Sequence, residues 1–198
     1  MRMSRASQYK LVYLIGLALV VAAAVLVVLL LGGGVPALLV VVVILLVSGR
    51  VQGYFYRDLF RGRRLLGEGR FVESISYNEH FLSTVQRKPW LKQLLWLSWS
   101  IYTPNVEAMT LNNLGAAHLE LRNFDQATSM FSGALARDPE FPMPYYNLAL
   151  MREVLGDHGR AELLLSEASK RGYKRTSIDQ LVSQAGEVYA RLEGRGVS

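Results

Sequence analysis

Near the middle of the chain, Ala108–Phe141 reads AMTLNNLGAAHLELRNFDQATSMFSGALARDPEF, and its spacing decides the fold. Asn105, just upstream, has a short side-chain oxygen suited to the free N–H groups of a helix start. A helix is predicted from there to about Arg122. Asn123-x-x-Gln126 has the form of a capping box that opens a second helix. Asp138-Pro139 stops it, because proline drives the residue before it out of the helical region. Gly115, Ala127 and Ala134 are small enough to let the two helices approach closely, while Leu114 and Phe131 fill the space between them. Such a pair cannot bury all its apolar surface alone and needs neighbours stacked on it.

The window is 34 residues long, with Leu111, Leu114-Gly115, His118, Ala127, Phe131, Ala134 and Pro139 at fixed positions. In these eight positions it resembles the tetratricopeptide repeat (TPR) family, although His118 stands where that pattern usually has Tyr. The next window, Pro142–Arg175, repeats the plan with Tyr145, Leu148-Ala149, Ala161, Leu165 and Ala168. Gly156 and Gly172 are placed to end its two helices. It departs from the family pattern at Arg152 and Tyr173. Upstream, Phe55–Lys88 carries Gly62, Leu65, Gly69-Arg70-Phe71, Ser74, Asn78 and Phe81 in the same phase, a degenerate copy. Downstream, Ser177-x-x-Gln180 opens a last helix on which Ile178, Leu181, Val182, Ala185, Val188, Tyr189 and Leu192 form one apolar stripe, ended by Gly194. It resembles the capping helix common in this family.

Between the degenerate copy and the clear ones lies Pro89–Pro104, which holds all three tryptophans, Trp90, Trp96 and Trp99. As a helix it is apolar around most of its circumference. It either packs into the solenoid or against the membrane hairpin, or it lies in a lipid headgroup layer, where Trp and Tyr are favoured, or contacts a partner.

Two apolar runs begin the chain. Leu11–Leu31 contains one non-apolar residue, Gly16, and Val35–Val47 contains one, Pro36. About 20 apolar residues span a bilayer as a helix, and a run of this length exceeds a signal-peptide core. Gly32-Gly33-Gly34 between the runs suits a tight turn, so a transmembrane hairpin is expected, its second arm shorter and either spanning or re-entrant. Arg2, Arg5 and Lys10 flank the first run, and Arg50, Arg57, Arg61, Arg63 and Arg64 flank the second, whereas the turn carries no charge. The positive-inside rule places both flanks, and all that follows, in the cytoplasm. Tyr54, Phe55, Tyr56, Arg57, Arg61, Arg63, Arg64, Trp90, Trp96 and Trp99 are the candidate membrane-interface residues.

The net charge of +6 lies half in the N-terminal tail, and every acidic residue falls beyond Arg50. No basic face bears a nucleic-acid-binding motif, so nucleic acid is not expected as a partner. The absence of cysteine excludes disulfides, thiolate metal sites and cysteine nucleophiles. His80, His118 and His158 fall at different repeat positions, which argues against a shared metal site. Ser7-Gln8-Tyr9-Lys10 matches Ser-x-x-Lys by chance, in a tail with none of the partner motifs such an enzyme needs. No phosphate-binding loop, hydrolase elbow or zinc motif occurs. Neither catalysis nor a cofactor is expected.

The family resemblance implies a concave groove lined by the first helix of each repeat. Its residues correspond here to Asn112, Asn113 and Ala116 in one copy and Tyr146, Asn147 and Leu150 in the next. Amides such as Asn113 and Asn147, one period apart, can both donate to and accept from an extended peptide. The lysine of the carboxylate-clamp subclass is missing, because Asn112 and Tyr146 occupy those places.

The expected protein is therefore all-α, divided into a basic tail (1–10), a transmembrane hairpin (11–53), a degenerate repeat (54–88), the Trp-rich insert (89–104), two TPR-like repeats (105–175), a capping helix (176–193) and a short tail (194–198). The expected role is a scaffold of the bacterial inner membrane that holds partner proteins. The alternative is a structural or assembly subunit of a membrane or envelope complex that homo-oligomerises through its arms, with the repeats on the opposite side.

Overall fold

A computed structural model describes residues 5–30, 39, 42, 50–97, 103–174 and 177–194. All regular structure among them is helical: α1 (Arg5–Leu30), α2 (Arg57–Gly67), α3 (Phe71–Arg87), a 3₁₀ segment (Pro89–Leu97), α4 (Val106–Glu120), α5 (Phe124–Arg137), α6 (Pro142–Val154), α7 (His158–Lys170) and α8 (Ile178–Gly194). Residues 50–55 are helical too. The hydrogen bonds Tyr56 N–H to Gln52 O (2.8 Å) and Phe60 N–H to Tyr56 O (3.0 Å) carry the ladder into α2. The first helix of the degenerate copy thus grows directly out of the segment before it.

Three helix pairs, α2/α3, α4/α5 and α6/α7, share one packing rule. A residue with little or no side chain on the first helix faces a larger one 16 positions later on the second. A Cβ added at Gly115 would lie 2.6 Å from the Phe131 ring, and one added at Gly62 would collide with the Asn78 amide. Ala149 and Leu165 are buried at the matching places. The turns within pairs also repeat. Gly69, Arg122 and Gly156 take φ of +77°, +60° and +76°, and each is followed by a residue whose N–H reaches back five positions: Arg70 to Leu65, Asn123 to His118, Asp157 to Arg152. Gly172, at φ +90°, closes α7 the same way. A left-handed residue after the last helical turn satisfies its otherwise orphaned carbonyls.

Asn105 caps α4 as expected, its Oδ1 accepting from Glu107 N–H (3.0 Å) and Ala108 N–H (3.1 Å). Asn123 does not cap α5: at φ −82° and ψ 65° it makes no side-chain cap bond. It is already committed to the preceding Schellman turn, and its Nδ2 lies 3.5 Å from His118 Nδ1. Ser177 Oγ does accept from Gln180 N–H (3.2 Å). The single apolar stripe expected on α8 divides: Leu181, Ala185, Val188 and Leu192 are buried, whereas Ile178, Val182 and Tyr189 are about half exposed.

Over Pro89–Leu97 the Trp-rich segment is a 3₁₀ helix rather than an α-helix. Leu91 and Leu95 are buried in a cluster with Tyr56, Leu59, Phe81, Val85 and Val106. Lys92 reaches Glu107 at 2.9 Å. Where the chain re-enters the repeats, buried Asp138 accepts from Thr103 Oγ1 (2.5 Å), and Thr103 Oγ1 in turn accepts from Asn105 N–H (3.0 Å). A polar clasp thereby fixes the start of α4 to the end of α5.

Counted over the described side chains alone, no helix is long and apolar enough to cross a membrane. Within α1 the side chains of residues 5–10, 13, 17 and 27 are outside that set. The turn at Gly32–Gly34 and nearly all of the second arm also lie outside the described residues.

Candidate partner-binding face

The six side chains expected to line the groove lie on α4 and α6, and three of them, Ala116, Tyr146 and Leu150, pack in the cluster that α8 joins. They are less open than an empty groove requires. Asn112, Asn113, Tyr146 and Leu150 are buried, and Ala116 and Asn147 are half-buried. Asn147 Nδ2 donates to Asn112 Oδ1 at 2.8 Å, tying α6 to α4. Asn113 Nδ2 has no hydrogen-bond partner among the described residues. A buried donor left unmet costs about 1–3 kcal/mol, so it is an available contact for an incoming acceptor.

The cover over this face is α8, which packs chiefly on α6 and extends to α4. Leu181, Ala185, Val188 and Leu192 enter one apolar cluster with Leu119, Tyr146, Leu150 and Met151. The Tyr146 hydroxyl donates to Gln184 Oε1, and its ring lies against Tyr173 with centroids 4.4 Å apart. At the far end Arg191 grips Glu120 with two bonds, Nη2 to Oε1 at 2.8 Å and Nε to Oε2 at 3.3 Å, across 71 residues of chain. The hydrogen bond to Glu120 raises the Arg191 pKa further, so the guanidinium stays charged. Beside the start of α8 a cavity of about 470 Å³ is lined by Tyr146, Asp179, Gln180, Ser183 and Gln184.

The candidate membrane-interface residues separate into two groups. Tyr54 (66% exposed), Arg57, Arg61, Arg63 and Arg64 face outward. Arg57 lies over the Tyr54 ring and Arg61 over the Tyr77 ring, while Arg64 pairs with Glu68 at 2.7 Å. Phe55 is half-buried and meets Trp90 edge-on at 5.0 Å. Tyr56, expected at a membrane border, is instead fully buried. Its hydroxyl donates to Leu91 O at 2.6 Å, and burial pushes its pKa up. The ring is needed to fill the space between α2, α3 and the 3₁₀ segment, so it cannot serve as a headgroup anchor. The Trp96 side chain and Trp99 lie outside the described residues. So does the Ser7–Lys10 motif's side-chain geometry.

Among the described residues no group of three or more His, Asp or Glu could hold a metal ion. His80 pairs with Asp58 and His158 with Glu153, both at 2.9 Å on the surface. His118 is half-buried, where desolvation lowers its pKa. No family model and no curated protein matches the chain.

The helix α8 was legible in the sequence, but its seat was not. Its apolar stripe was legible, but nothing in the residues said on which face of α6 it would lie.

Proposed function

We propose that this protein is a membrane-anchored, TPR-like adaptor without catalytic activity, which holds a partner segment on the face formed by α4 and α6. The observation that carries the reading is the character of α1. Nearly all its described side chains are apolar and exposed, from Leu11 (48% exposed) through Leu19 to Leu30 (77%), with Ala24 and Val28 partly buried. A run of about 20 apolar residues in a helix has the length that spans a bilayer. The full run Leu11–Leu31 and the second run Val35–Val47 supply the two arms. The basic flanks put the repeats in the cytoplasm. The repeated small-against-large helix pairs support the family resemblance, and the amides of Asn113 and Asn147 support a binding rather than a catalytic role.

Fractionation of cells tests this reading. The full chain should remain with membranes through high-salt and alkaline washes and be released only by detergent. External protease on spheroplasts should leave the repeats intact, whereas inside-out vesicles should yield them to cleavage. Release by salt alone, or cleavage of the repeats from outside, would overturn it. A photo-crosslinker at Ala116 should then capture a partner in the wild-type background and fail with Asn113→Ala/Asn147→Ala.

A further inference from the structure

The binding face of the proposed adaptor is occupied by the chain's own last helix, and that contact describes the kind of partner the face takes. In a simple solenoid each new helix packs on both members of the preceding pair, as α6 does on α5 and α4. In contrast, α8 lies mainly on α6, makes little contact with α7, and reaches back to α4. Its contact surface has three parts. The first is a short stripe of Leu181, Ala185, Val188 and Leu192, spaced i, i+4, i+7, i+11 on one helical face. The second is the amide of Gln184, which meets the Tyr146 hydroxyl. The third is a guanidinium near the helix end, Arg191, which meets Glu120. These six residues cover Tyr146 and Leu150 while leaving Asn147 and Ala116 half-open at the edge. The outer side of α8 is mixed: Asp179, Gln180, Ser183 and Glu187 are exposed beside Ile178, Val182 and Tyr189, which remain about half exposed.

We propose that α8 is a displaceable occupant of this face, and that the partner is an amphipathic helix carrying the same pattern. That pattern is a Leu/Ala/Val/Leu-like stripe at helical spacing with a basic residue near its C-terminal end. The proposal rests on the adaptor reading and specifies its ligand. An intramolecular helix competes at an effective concentration in the millimolar range, so the tethered copy excludes weak helices and yields to a tighter one. Helix-in-groove recognition through spaced apolar anchors is a recurrent mode of peptide binding.

The test uses the full chain in detergent micelles and a fluorescein-labelled peptide of Ser177–Gly194 as the probe. In L181D/V188D the charged side chains should expel α8 from its seat. Hydrogen exchange should then show loss of protection in α8 alone, with α4–α7 still protected. This released chain should bind the peptide about tenfold or more tightly than wild type, whose face is filled, and a peptide carrying the same two aspartates should not bind. Loss of protection in α4–α7 together with α8 would overturn the proposal, because α8 would then be a fixed part of the core. So would a released chain that keeps α4–α7 folded yet takes up no peptide. Glu120→Arg supplies a milder release: it should speed exchange in α8, and Arg191→Glu in the same chain should slow it again. Unchanged exchange in Glu120→Arg would count against the proposal. None of these readings needs a bilayer or a natural partner, so their failure is separable from failure of the membrane assignment.

Discussion

Gly115 and Arg122 lie two turns apart on the same helical hairpin, and each tests a backbone demand of the repeat. At Gly115 the Phe131 ring occupies the place of a Cβ, 2.6 Å away. Gly115→Ala should therefore destabilise the protein by about 1–3 kcal/mol, read from the midpoint of chemical denaturation, through overpacking. At Arg122 the demand is opposite: a left-handed φ of +60° is held by a side chain that disfavours it, where the other two pairs have Gly69 and Gly156. Arg122→Gly should stabilise by about 0.5–1 kcal/mol on the same measurement. His118 gives a pH signature. Burial, partly opposed by the charge of Glu79, sets its pKa below the ordinary histidine value of about 6.5. The unfolded chain then binds the proton more readily than the folded one, so stability is lost as pH falls through that range. Thermal melts at pH 7.5 and 5.5 should show a larger acid-side loss in wild type than in His118→Tyr. Gly115 and Phe131 were legible in the sequence because a glycine and a phenylalanine at fixed spacing encode close approach directly, whereas the left-handed turn at Arg122 was not, since arginine carries no signal for it. Tyr56 was not, since an aromatic beside an apolar run suits a lipid border and a protein core equally well.

Among the elements, the 3₁₀ segment has the largest structural role for its length. Leu91 and Leu95 close the cluster around Tyr56 and Phe81, which joins the first helix pair to Val106 at the start of α4. Leu91→Ala should cost about 2–4 kcal/mol by lost contact and residual cavity. Hydrogen exchange should locate the loss in α2 and α3 while α6 and α7 stay protected. The helix boundaries, the Asn105 cap and the glycine stops followed from local chemistry and could be read in advance. The placement of α8 could not, because it depends on packing against α6 and on a salt bridge joining residues 71 apart. The capping box at Asn123 failed for a related reason: the turn before it took precedence over the side-chain cap.

For the whole molecule, the absence of cysteine makes topology open to single-thiol mapping. A membrane-impermeant maleimide added to intact spheroplasts should label Gly33→Cys and spare Arg63→Cys, and permeabilisation should expose the second. The reverse pattern would turn the protein around in the bilayer. Between the expected second arm and the repeats there is no slack. The helix ladder runs from Gln52 through Tyr56 into α2, Tyr56 holds the Leu91 carbonyl at 2.6 Å, Phe55 abuts Trp90, and Lys92 meets Glu107 on α4. Residues 50–56 thus run on into the first repeat helix rather than forming a tether. In the proposed anchored adaptor, a tilt of the arm, as when bilayer thickness changes, would pass as torque through this joint to the start of α4, the helix that carries Asn112 and Asn113.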